Sequence, residues 1–228
     1  MSSPFRLYYI FFLAYILRMM KKCLFQKKDL CITLPTNGGA SFLLIGSTRS
    51  GKSVAMLHLY ETYFKKHITF LMTHSTQADI YAPLKNAIIS PGYFKELIDE
   101  PMRLNRETKN KYDFCLLFDD LALSGKNDKE MTKLLTIGRN SGMSAIICGQ
   151  KMTMLNATGR SNCNYVLCFK QNAESAILDT IKTYMRSYFP PSMSLAQMVV
   201  IYKELTKDHH FFVIDTLNDE IYISKIKI

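Results

Sequence analysis

From Ser41 to Ser53 the chain has the sequence SFLLIGSTRSGKS, in which an apolar run passes directly into a glycine-rich loop. Phe42–Ile45 predicts a strand, and the residues that follow it, Gly46–Ser53, match the pattern G-x-x-x-x-G-K-S/T in full. The apolar positions after the loop have helical spacing: Val54, Leu57, Tyr60 and Phe64. Glycines allow such a loop to turn its N–H groups toward phosphate oxygens, and the helix adds its positive N-terminus. The stretch therefore predicts a phosphate-binding loop between a strand and a helix.

This loop supplies candidate ligands for a nucleoside triphosphate and its metal ion. Lys52 would place a cation between the terminal phosphates, which makes it a candidate catalytic residue as well, and the Ser53 hydroxyl would join the shell of a Mg²⁺ ion. The candidate nucleotide-binding residues are Gly46, Ser47, Thr48, Arg49, Ser50, Gly51, Lys52 and Ser53.

A second apolar run, Phe114–Phe118, ends in two acids, Asp119 and Asp120. A hard cation that bridges phosphates prefers a carboxylate, so Asp119 is the candidate metal ligand. An acid one position later can polarise an attacking water, which makes Asp120 the candidate general base. Such a base favours hydrolysis over transfer to a second substrate. The alternative is that the two acids only cap a loop.

Two further residues are catalytic candidates. Gln150 follows the apolar run Ile146–Gly149, and its amide could hydrogen-bond the γ-phosphate and the lytic water. Arg139 lies between the acidic strand and this one, where an arginine could offset transition-state charge in the site of a neighbouring subunit. The structural alternatives are that Gln150 is only a polar residue at the end of a strand and that Arg139 is a solvated arginine at the end of a helix.

Apolar strands that alternate with helices predict an α/β fold with a mostly parallel sheet covered on both faces. The ligands of such a sheet bind at the carboxyl ends of its strands. Further strands are predicted at Ile68–Met72, Ala87–Ile89, Ala145–Cys148 and Val166–Phe169, with a C-terminal hairpin of His210–Asp215 and Ile221–Ile226. Further helices are predicted at Pro91–Leu97, Asn127–Ile137 and Ala173–Tyr188, and a charged loop at Asn105–Lys111.

Composition narrows the class of protein. The 228 residues are 48% hydrophobic and 21% charged, which excludes collagen-like and disordered chains. The net charge of +10 favours a polyanionic partner, but six of those charges fall in the first 28 residues. The six cysteines have no disulfide or zinc spacing, which favours structural thiols in a reducing compartment. His74 and His209–His210 have no metal-type partners and are predicted to be structural.

The N-terminus predicts a separate extension, residues 1–33, ahead of a nucleotide-binding domain at residues 34–228. Leu7–Leu17 is an unbroken apolar run flanked by basic residues, shorter than the roughly 20 residues of a membrane span. Residues 5–20 could be an interfacial membrane anchor or an oligomer contact. A third interpretation, which the sequence favours, is that translation starts at Met19 or Met20.

The order of these motifs resembles the FtsK–HerA branch of P-loop ATPases, of the ASCE and RecA-like kind. Gly46–Ser53, Asp119–Asp120, Gly138-Arg139-Asn140 and Gly149-Gln150 carry the resemblance. More narrowly, they resemble the poxvirus-type DNA-packaging ATPases of large DNA viruses, virophages and related mobile elements. Many members of the branch carry Glu where this chain has Asp120, whose reach to the water is shorter.

This resemblance implies ATP and Mg²⁺ as cofactors and a homo-oligomeric ring, usually a hexamer or pentamer. It also implies a motor that moves duplex DNA into a preformed capsid without reading its sequence, and contacts with capsid or portal-vertex proteins. The host cytoplasm or a viral factory, with possible association with the virion, is the implied location. Scattered basic residues could line the pore: Lys126, Lys129, Lys133, Arg160 and Lys170.

Two other functions remain open from the sequence. A small-molecule kinase of the nucleoside type would need lid arginines, which Arg103–Lys111 could supply. A membrane-associated assembly or export ATPase of the filamentous-phage type would use Leu7–Leu17 as its anchor.

Overall fold

The computed structural model describes residues 25–75, 78–121 and 128–226. Its centre is an eight-stranded sheet with the order β3-β2-β4-β5-β1-β6-β7-β8. Strands β1 to β6 are parallel, and β7 and β8 run antiparallel beside β6. The strands are β1 Ser41–Ile45, β2 Ile68–Thr73, β3 Ile88–Pro91, β4 Phe114–Asp119, β5 Met143–Gly149, β6 Tyr165–Cys168, β7 His210–Asp215 and β8 Glu220–Lys225. The predicted α/β fold with a mostly parallel sheet and a C-terminal hairpin is confirmed.

Helices cover both faces of this sheet. They are α1 Lys52–Leu59, α2 Glu96–Glu107, α3 Asp128–Lys133, α4 Ala157–Ser161, α5 Glu174–Thr180 and α6 Leu195–Leu205. Three of them continue into π-helical turns at Tyr60–Phe64, Leu134–Gly138 and Ile181–Met185. Short 3₁₀ turns lie at Ala78–Tyr81, Met152–Met154 and Arg186–Tyr188.

Alternate residues of each strand face opposite sides, so the sheet separates two apolar cores. In β1, Phe42 and Leu44 belong to the core beneath α1, whereas Leu43 and Ile45 belong to the core beneath α2, α5 and α6. All four side chains are fully buried. This two-sided burial explains why the parallel strands have continuous apolar sequences rather than alternating ones.

Two predicted elements between β3 and β4 are wrong. The helix expected at Pro91–Leu97 begins instead at Glu96 and runs to Glu107, so it occupies the start of the loop expected at Asn105–Lys111. Pro91 belongs to β3, and acids at Glu96 and Asp99 favour the first turn of the helix that follows. The helix stays on the sheet through Ile98, Met102 and Asn105, which recur on one face.

Helix α6 has no counterpart in the sequence-based prediction. Its start is a capping box, in which Ser194 accepts from the backbone N–H of Gln197 and the Gln197 side chain accepts from the backbone N–H of Ser194. Five of its apolar side chains enter the core: Met198, Val199, Ile201, Tyr202 and Leu205. A Ser-x-x-Gln pattern before an apolar run is therefore the local evidence for this helix.

The two edges of the sheet differ. At the β8 edge, the Lys28 N–H donates to the Ile223 carbonyl (3.1 Å) and the Ile223 N–H donates to the Gln26 carbonyl (2.9 Å), which forms one bridge at Ile223. Phe25 anchors this segment between the rings of Phe189 and Phe212. At the other edge, no strand of the described residues pairs with the outer side of β3, whose Ile88 and Ile89 are 57% and 51% exposed.

The apolar run Leu7–Leu17, residues 5–20 as a whole and the two candidate start methionines lie outside the described residues. Within the described ranges, none of the helices has both the length and the apolar character that a membrane crossing requires.

Asn105 joins α2 to the amino-terminal ends of β4 and β5. Its side chain is fully buried, and its Nδ2 donates to the carbonyl oxygens of Tyr112 and Ser141 at 2.6 Å each. Its Oδ1 accepts from the backbone N–H of Tyr112 at 3.1 Å. One buried amide therefore satisfies three partly buried backbone groups.

We expect Asn105→Ala to lower the free energy of unfolding by roughly 1–3 kcal/mol, because it removes a fully buried side chain and leaves three partly buried backbone groups without their partner. Chemical denaturation monitored by circular dichroism measures the change. Asn140→Ala is the matched control, since Asn140 is exposed, and it should change the stability by no more than about 0.5 kcal/mol. Equal stability of the two variants would contradict this role of Asn105.

Candidate functional site

The loop after β1, the acids after β4 and the glutamine after β5 meet at the carboxyl-terminal ends of these three strands. Strand β5 lies between β1 and β4, and all three strands run in the same direction. Their carboxyl ends open into a cavity of about 800 Å³. Its lining includes these predicted site residues: Thr48, Arg49, Lys52, Ser53, Asp119, Asp120 and Gln150.

The glycine-rich loop is fastened to the strands on either side of β1. The N–H of Gly46 donates to the Gly149 carbonyl of β5 at 3.1 Å. The N–H of Ser47 donates to the Lys170 carbonyl at 2.9 Å, and the Ser47 hydroxyl accepts from the N–H of Asn172 at 2.9 Å. The loop therefore starts from a fixed position, and α1 begins at Lys52 with its N-terminus toward the cavity.

Two glycines of the loop have separate structural reasons. A Cβ on Gly46 would lie 2.6 Å from the Phe169 Cβ and 2.6 Å from the Ser50 hydroxyl oxygen, so a side chain does not fit there. Gly51 has φ +101°, a conformation that other residues rarely adopt. The Ser50 hydroxyl is buried without a hydrogen-bond partner in the described structure.

Lys52 is a buried cation at the base of the cavity. It is 9% exposed, and its Nζ donates to the carbonyl oxygens of Gly46 and Ser47 at 2.9 Å each. Burial lowers the pKa of Lys52, while the charges of nearby groups, including Asp119 and Asp120, oppose that shift. An ammonium group that has lost much of its water gains more from an anion than an exposed one does.

Asp119 is a buried carboxylate held by neighbouring side chains. It is 3% exposed, and its Oδ2 accepts from the Tyr81 hydroxyl at 2.9 Å. The Tyr81 hydroxyl in turn lies 3.2 Å from the hydroxyl of Thr73, the residue paired with Asp119 across β2 and β4. Burial raises the pKa of Tyr81 to about 12, so its hydroxyl stays a donor at neutral pH.

Cys148 also contacts Asp119. Burial raises the pKa of this thiol well above its ordinary value, and the hydrogen-bonded Asp119 raises it further. The thiol is therefore protonated, in agreement with the structural role predicted for it. Four of the five cysteines within the described ranges are buried and Cys31 is exposed, and all five are free thiols.

Asp120 and Gln150 are the exposed members of the site. Asp120 follows the last residue of β4 and has φ +51°, so the chain turns sharply where its side chain meets the cavity. Gln150 follows the last residue of β5, the neighbouring strand. Both residues line the cavity and are exposed, whereas Lys52 and Asp119 are buried in it.

The donor set fits a Mg²⁺ ion that a nucleotide completes. Ser53 and Asp119 offer oxygen atoms, which Mg²⁺ prefers, and both line the same cavity. Among the described residues there is no cluster of three His, Cys, Asp or Glu side chains that could hold a metal. Mg²⁺ commonly keeps several waters and takes its other oxygens from substrate phosphates, so two protein ligands suffice.

Arg139 lies at the amino-terminal ends of the parallel strands, whereas the cavity lies at their carboxyl-terminal ends. Its carbonyl accepts from the N–H of Gly39, just before β1, at 2.8 Å. Strand β5 begins after Arg139 and ends before Gln150, which separates the two by roughly 20 Å of extended chain. Arg139 is therefore not brought to the cavity of its own chain.

Two of the basic residues considered for a pore have partners within the chain. Lys133 Nζ bonds Asp99 at 3.0 Å, and the Arg160 guanidinium donates to the Leu155 carbonyl at 2.6 Å. Lys129 and Lys170 are exposed, and Lys126 lies outside the described residues.

Two residues close to Asp119, Thr73 and Tyr81, were not among the predicted site residues. Thr73 could have been found, because β2 ends beside the strand of Asp119. Tyr81 carries no such indication, since it lies in a turn eight residues further along. His74, predicted to be structural, lines the larger cavity, and His209 lines a smaller one behind the loop.

Comparison with known proteins identifies a sequence family and a set of similar folds. A sequence model described as "Poxvirus A32 protein" matches residues 37–226. Comparison with curated protein sequences finds no match.

Three solved structures have a similar fold. B204, the DNA-packaging ATPase from Sulfolobus turreted icosahedral virus, has 17% identity and a TM-score of 0.58, covering 85% of this chain and 100% of that one. The genome packaging NTPase B204 of Sulfolobus turreted icosahedral virus 2, in complex with ATP-γ-S, has 15% identity and a TM-score of 0.54, with coverages of 85% and 100%. The pCW3 conjugation coupling protein TcpA has 14% identity and a TM-score of 0.55, with coverages of 85% and 62%.

At these identities the structural likeness establishes a shared fold, and it confirms the predicted P-loop ATPase architecture. The sequence match spans most of the chain and includes the loop, both acids, Arg139 and Gln150. The chain therefore belongs to the poxvirus A32 protein family, as the resemblance of its motifs predicted.

Proposed function

We propose that this chain hydrolyses ATP with Mg²⁺ and couples hydrolysis to the movement of duplex DNA into a viral capsid. Residues 34–228 would form the ATPase domain. The observation that carries the proposal is that five predicted site residues line one and the same cavity: Lys52, Ser53, Asp119, Asp120 and Gln150. The family match supports the choice of packaging among the possible uses of such a site.

The residues of this cavity have distinct chemical roles in the proposal. Lys52 would leave the carbonyls of Gly46 and Ser47 to neutralise the terminal phosphates, and Ser53 and Asp119 would hold Mg²⁺. When bound, Mg²⁺ would neutralise charge on the phosphate oxygens. Asp120 would accept the proton of the attacking water on a carboxylate oxygen, while the Gln150 amide orients that water.

The structure favours hydrolysis over transfer to a small molecule. The stretch Arg103–Lys111, which a kinase would use as a lid, starts within α2. Arg103 is held by Glu100 and Glu107 of its own helix, with bonds of 2.6 Å and 3.0 Å. Asn105 attaches the same segment to the amino-terminal ends of β4 and β5, which are the ends away from the cavity.

The remaining parts of the proposal concern assembly and location. A ring of identical subunits, a hexamer or a pentamer, would multiply a few basic side chains into a track for the DNA backbone. Capsid or portal-vertex proteins would be the docking partners, in the host cytoplasm or a viral factory. The buried free thiols are compatible with a reducing compartment there.

We expect Lys52→Ala to abolish ATP hydrolysis that depends on Mg²⁺ and is stimulated by duplex DNA. Asp120→Asn should retain nucleotide binding and lose at least about a hundredfold in rate, because only the proton acceptor is removed. Phosphate release at low salt, with and without duplex DNA, measures both effects. Lys203→Ala, an exposed lysine outside the cavity, is the control. No stimulation by DNA under conditions of assembly would refute the proposed motor.

Tyr81→Phe tests whether Tyr81 positions Asp119 for the metal. We expect the Mg²⁺ concentration for half-maximal hydrolysis to rise roughly tenfold, since partners that orient a ligating carboxylate control metal affinity. Titration of hydrolysis with Mg²⁺ measures this. Tyr63→Phe is the matched control, because the Tyr63 hydroxyl bonds the backbone of Ile32 away from the cavity. An unchanged Mg²⁺ titration would show that Tyr81 only fills space.

The position of Arg139 predicts that it acts on a neighbouring subunit. Arg139→Ala and Asp120→Asn chains should each be inactive, and their mixture should recover activity. The reason is that an intact site of one chain would then face an intact arginine of the other. Phosphate release against mixing ratio measures the recovery. Arg106→Ala, which changes an exposed arginine of α2, should stay active. A mixture without recovery would rule out the shared site.

A further inference from the structure

Residues 169–172, which follow β6 and are called the post-β6 segment below, lie directly against the glycine-rich loop. The Ser47 N–H donates to the Lys170 carbonyl at 2.9 Å, and the Ser47 hydroxyl accepts from the Asn172 N–H at 2.9 Å. A Cβ on Gly46 would lie 3.2 Å from the Lys170 carbonyl oxygen, so the two backbones are in close contact. A shift of the post-β6 segment would therefore shift the start of the loop.

Gln171 directs its side chain from the post-β6 segment toward α5 and α6. It is 5% exposed, and its Nε2 donates to the Thr180 hydroxyl and to the Tyr202 hydroxyl at 2.9 Å each. Thr180 is the last residue of α5 and Tyr202 lies in α6, and both are fully buried. A single side chain therefore ties the post-β6 segment to two helices.

The hydrogen bonds around Gln171 have a fixed direction. The Tyr202 hydroxyl donates to the Phe169 carbonyl at 2.7 Å, and the Thr180 hydroxyl donates to the Ala176 carbonyl at 3.0 Å. Because each hydroxyl has one hydrogen, both can only accept from Gln171, whose Nε2 must face them. Burial raises the pKa of Tyr202 well above its ordinary value, so its hydroxyl stays protonated. Tyr202 thus holds the post-β6 segment at two points, the Phe169 carbonyl and the Gln171 amide.

The Gln171 amide leaves part of its own hydrogen-bonding capacity unused. Its Oε1 is buried and has no partner among the described residues. A buried acceptor without a donor lowers stability, and a leucine of similar size would fill the space without that loss. Stability alone therefore favours an apolar side chain at this position. Two directed bonds fix the backbone in a way that apolar contact, which has no direction, does not.

We propose that Gln171 is a positioning residue for the phosphate-binding loop, an inference that rests on the proposed function. Through the post-β6 segment it holds Ser47, whose carbonyl accepts from Lys52 Nζ at 2.9 Å. Gln171 is not among the described residues that line the large cavity, so it acts on a nucleotide only through the loop. Since the loop contacts phosphates, a loss of its position weakens ATP and inorganic triphosphate alike.

Gln171→Leu tests this role in steady-state hydrolysis and in competition against a fluorescent ATP analogue, with ATP and inorganic triphosphate as competitors in Mg²⁺. We expect the KM for ATP to rise about fivefold or more while kcat changes by less than about twofold, because the loop binds phosphates equally in the ground state and the transition state. Both competitors should weaken by the same factor. The midpoint of thermal unfolding should stay within about 3 °C of the wild type, because the unpartnered acceptor is removed together with the two bonds.

Asn164→Leu is the matched control. Asn164 is a buried amide that precedes β6 as Gln171 follows it, and its Oδ1 accepts from the N–H and the hydroxyl of Ser41 at 3.0 Å each. The substitution should lower the midpoint of thermal unfolding, because it leaves those donors without their partner. It should leave the affinity for ATP unchanged, since Asn164 lies at the end of β6 away from the cavity.

Tyr202→Phe gives a second measurement, because Tyr202 is the partner that the Phe169 carbonyl and the Gln171 amide share. It should weaken ATP and inorganic triphosphate by equal factors. The double variant with Gln171→Leu should bind ATP no more than about twofold more weakly than the weaker single variant, because both changes release the same segment. Tyr202→Phe decides the matter if Gln171→Leu does not fold.

The positioning role would be overturned by any one of these results: unchanged ATP binding in a folded Gln171→Leu chain, an equal loss in Asn164→Leu, inorganic triphosphate that binds as to the wild type, or additive effects in the double variant. A wild-type chain that binds neither ATP nor inorganic triphosphate would instead refute the proposed function, and the role of Gln171 with it.

Discussion

The hydrogen bond between the Gly46 N–H and the Gly149 carbonyl joins the start of the phosphate-binding loop to the end of β5. Because β5 also pairs with β4, the same strand sets the distance from the loop to Asp119. A shift of β5 by one residue would turn its side chains to the opposite face and move Gln150 away from the cavity. Every proposed role in the site depends on this register.

The register is held by burial on both faces of the sheet. Ile146 and Cys148 enter the core beneath α1, and Ala145 and Ile147 enter the other core. Sliding the strand would replace each of these side chains with one selected for the other core, at the cost of cavities and clashes. The rigid edge then brings Lys52 and Asp119 into one water-poor space, where opposite charges interact strongly.

The strands and the loop were predictable because their information is local. Phe42–Ser53 carries strand, turn and helix patterns together, and Asp119 and Gln150 follow short apolar runs that are typical of buried strands. Placement of Tyr81 against Asp119 was not predictable, since it depends on how the turn after β2 folds back. The same holds for α2. Asn105 is of a residue type that is common in loops, but here it lies in a helix, where its buried side chain makes three hydrogen bonds to the backbone.

Charge also needed the structure for its interpretation. Arg160 and Lys133 contribute to the net charge, yet their bonds to Leu155 and Asp99 make them part of the fold. Arg139 precedes β5, at the opposite end of this strand from Gln150 and the cavity, so its position within the chain gives it no contact with the site. A basic residue therefore has to be judged by its partners before it is counted toward DNA.

The unequal edges of the sheet limit how these molecules can aggregate. Gln26 and Lys28 bond the N–H and the carbonyl of Ile223 in β8, whereas β3 presents Ile88 and Ile89 to solvent. Strand addition needs backbone N–H and C=O groups that are free along an edge. A strand from another molecule would therefore pair more readily with β3 than with β8, where it would first have to displace the two bonds at Ile223.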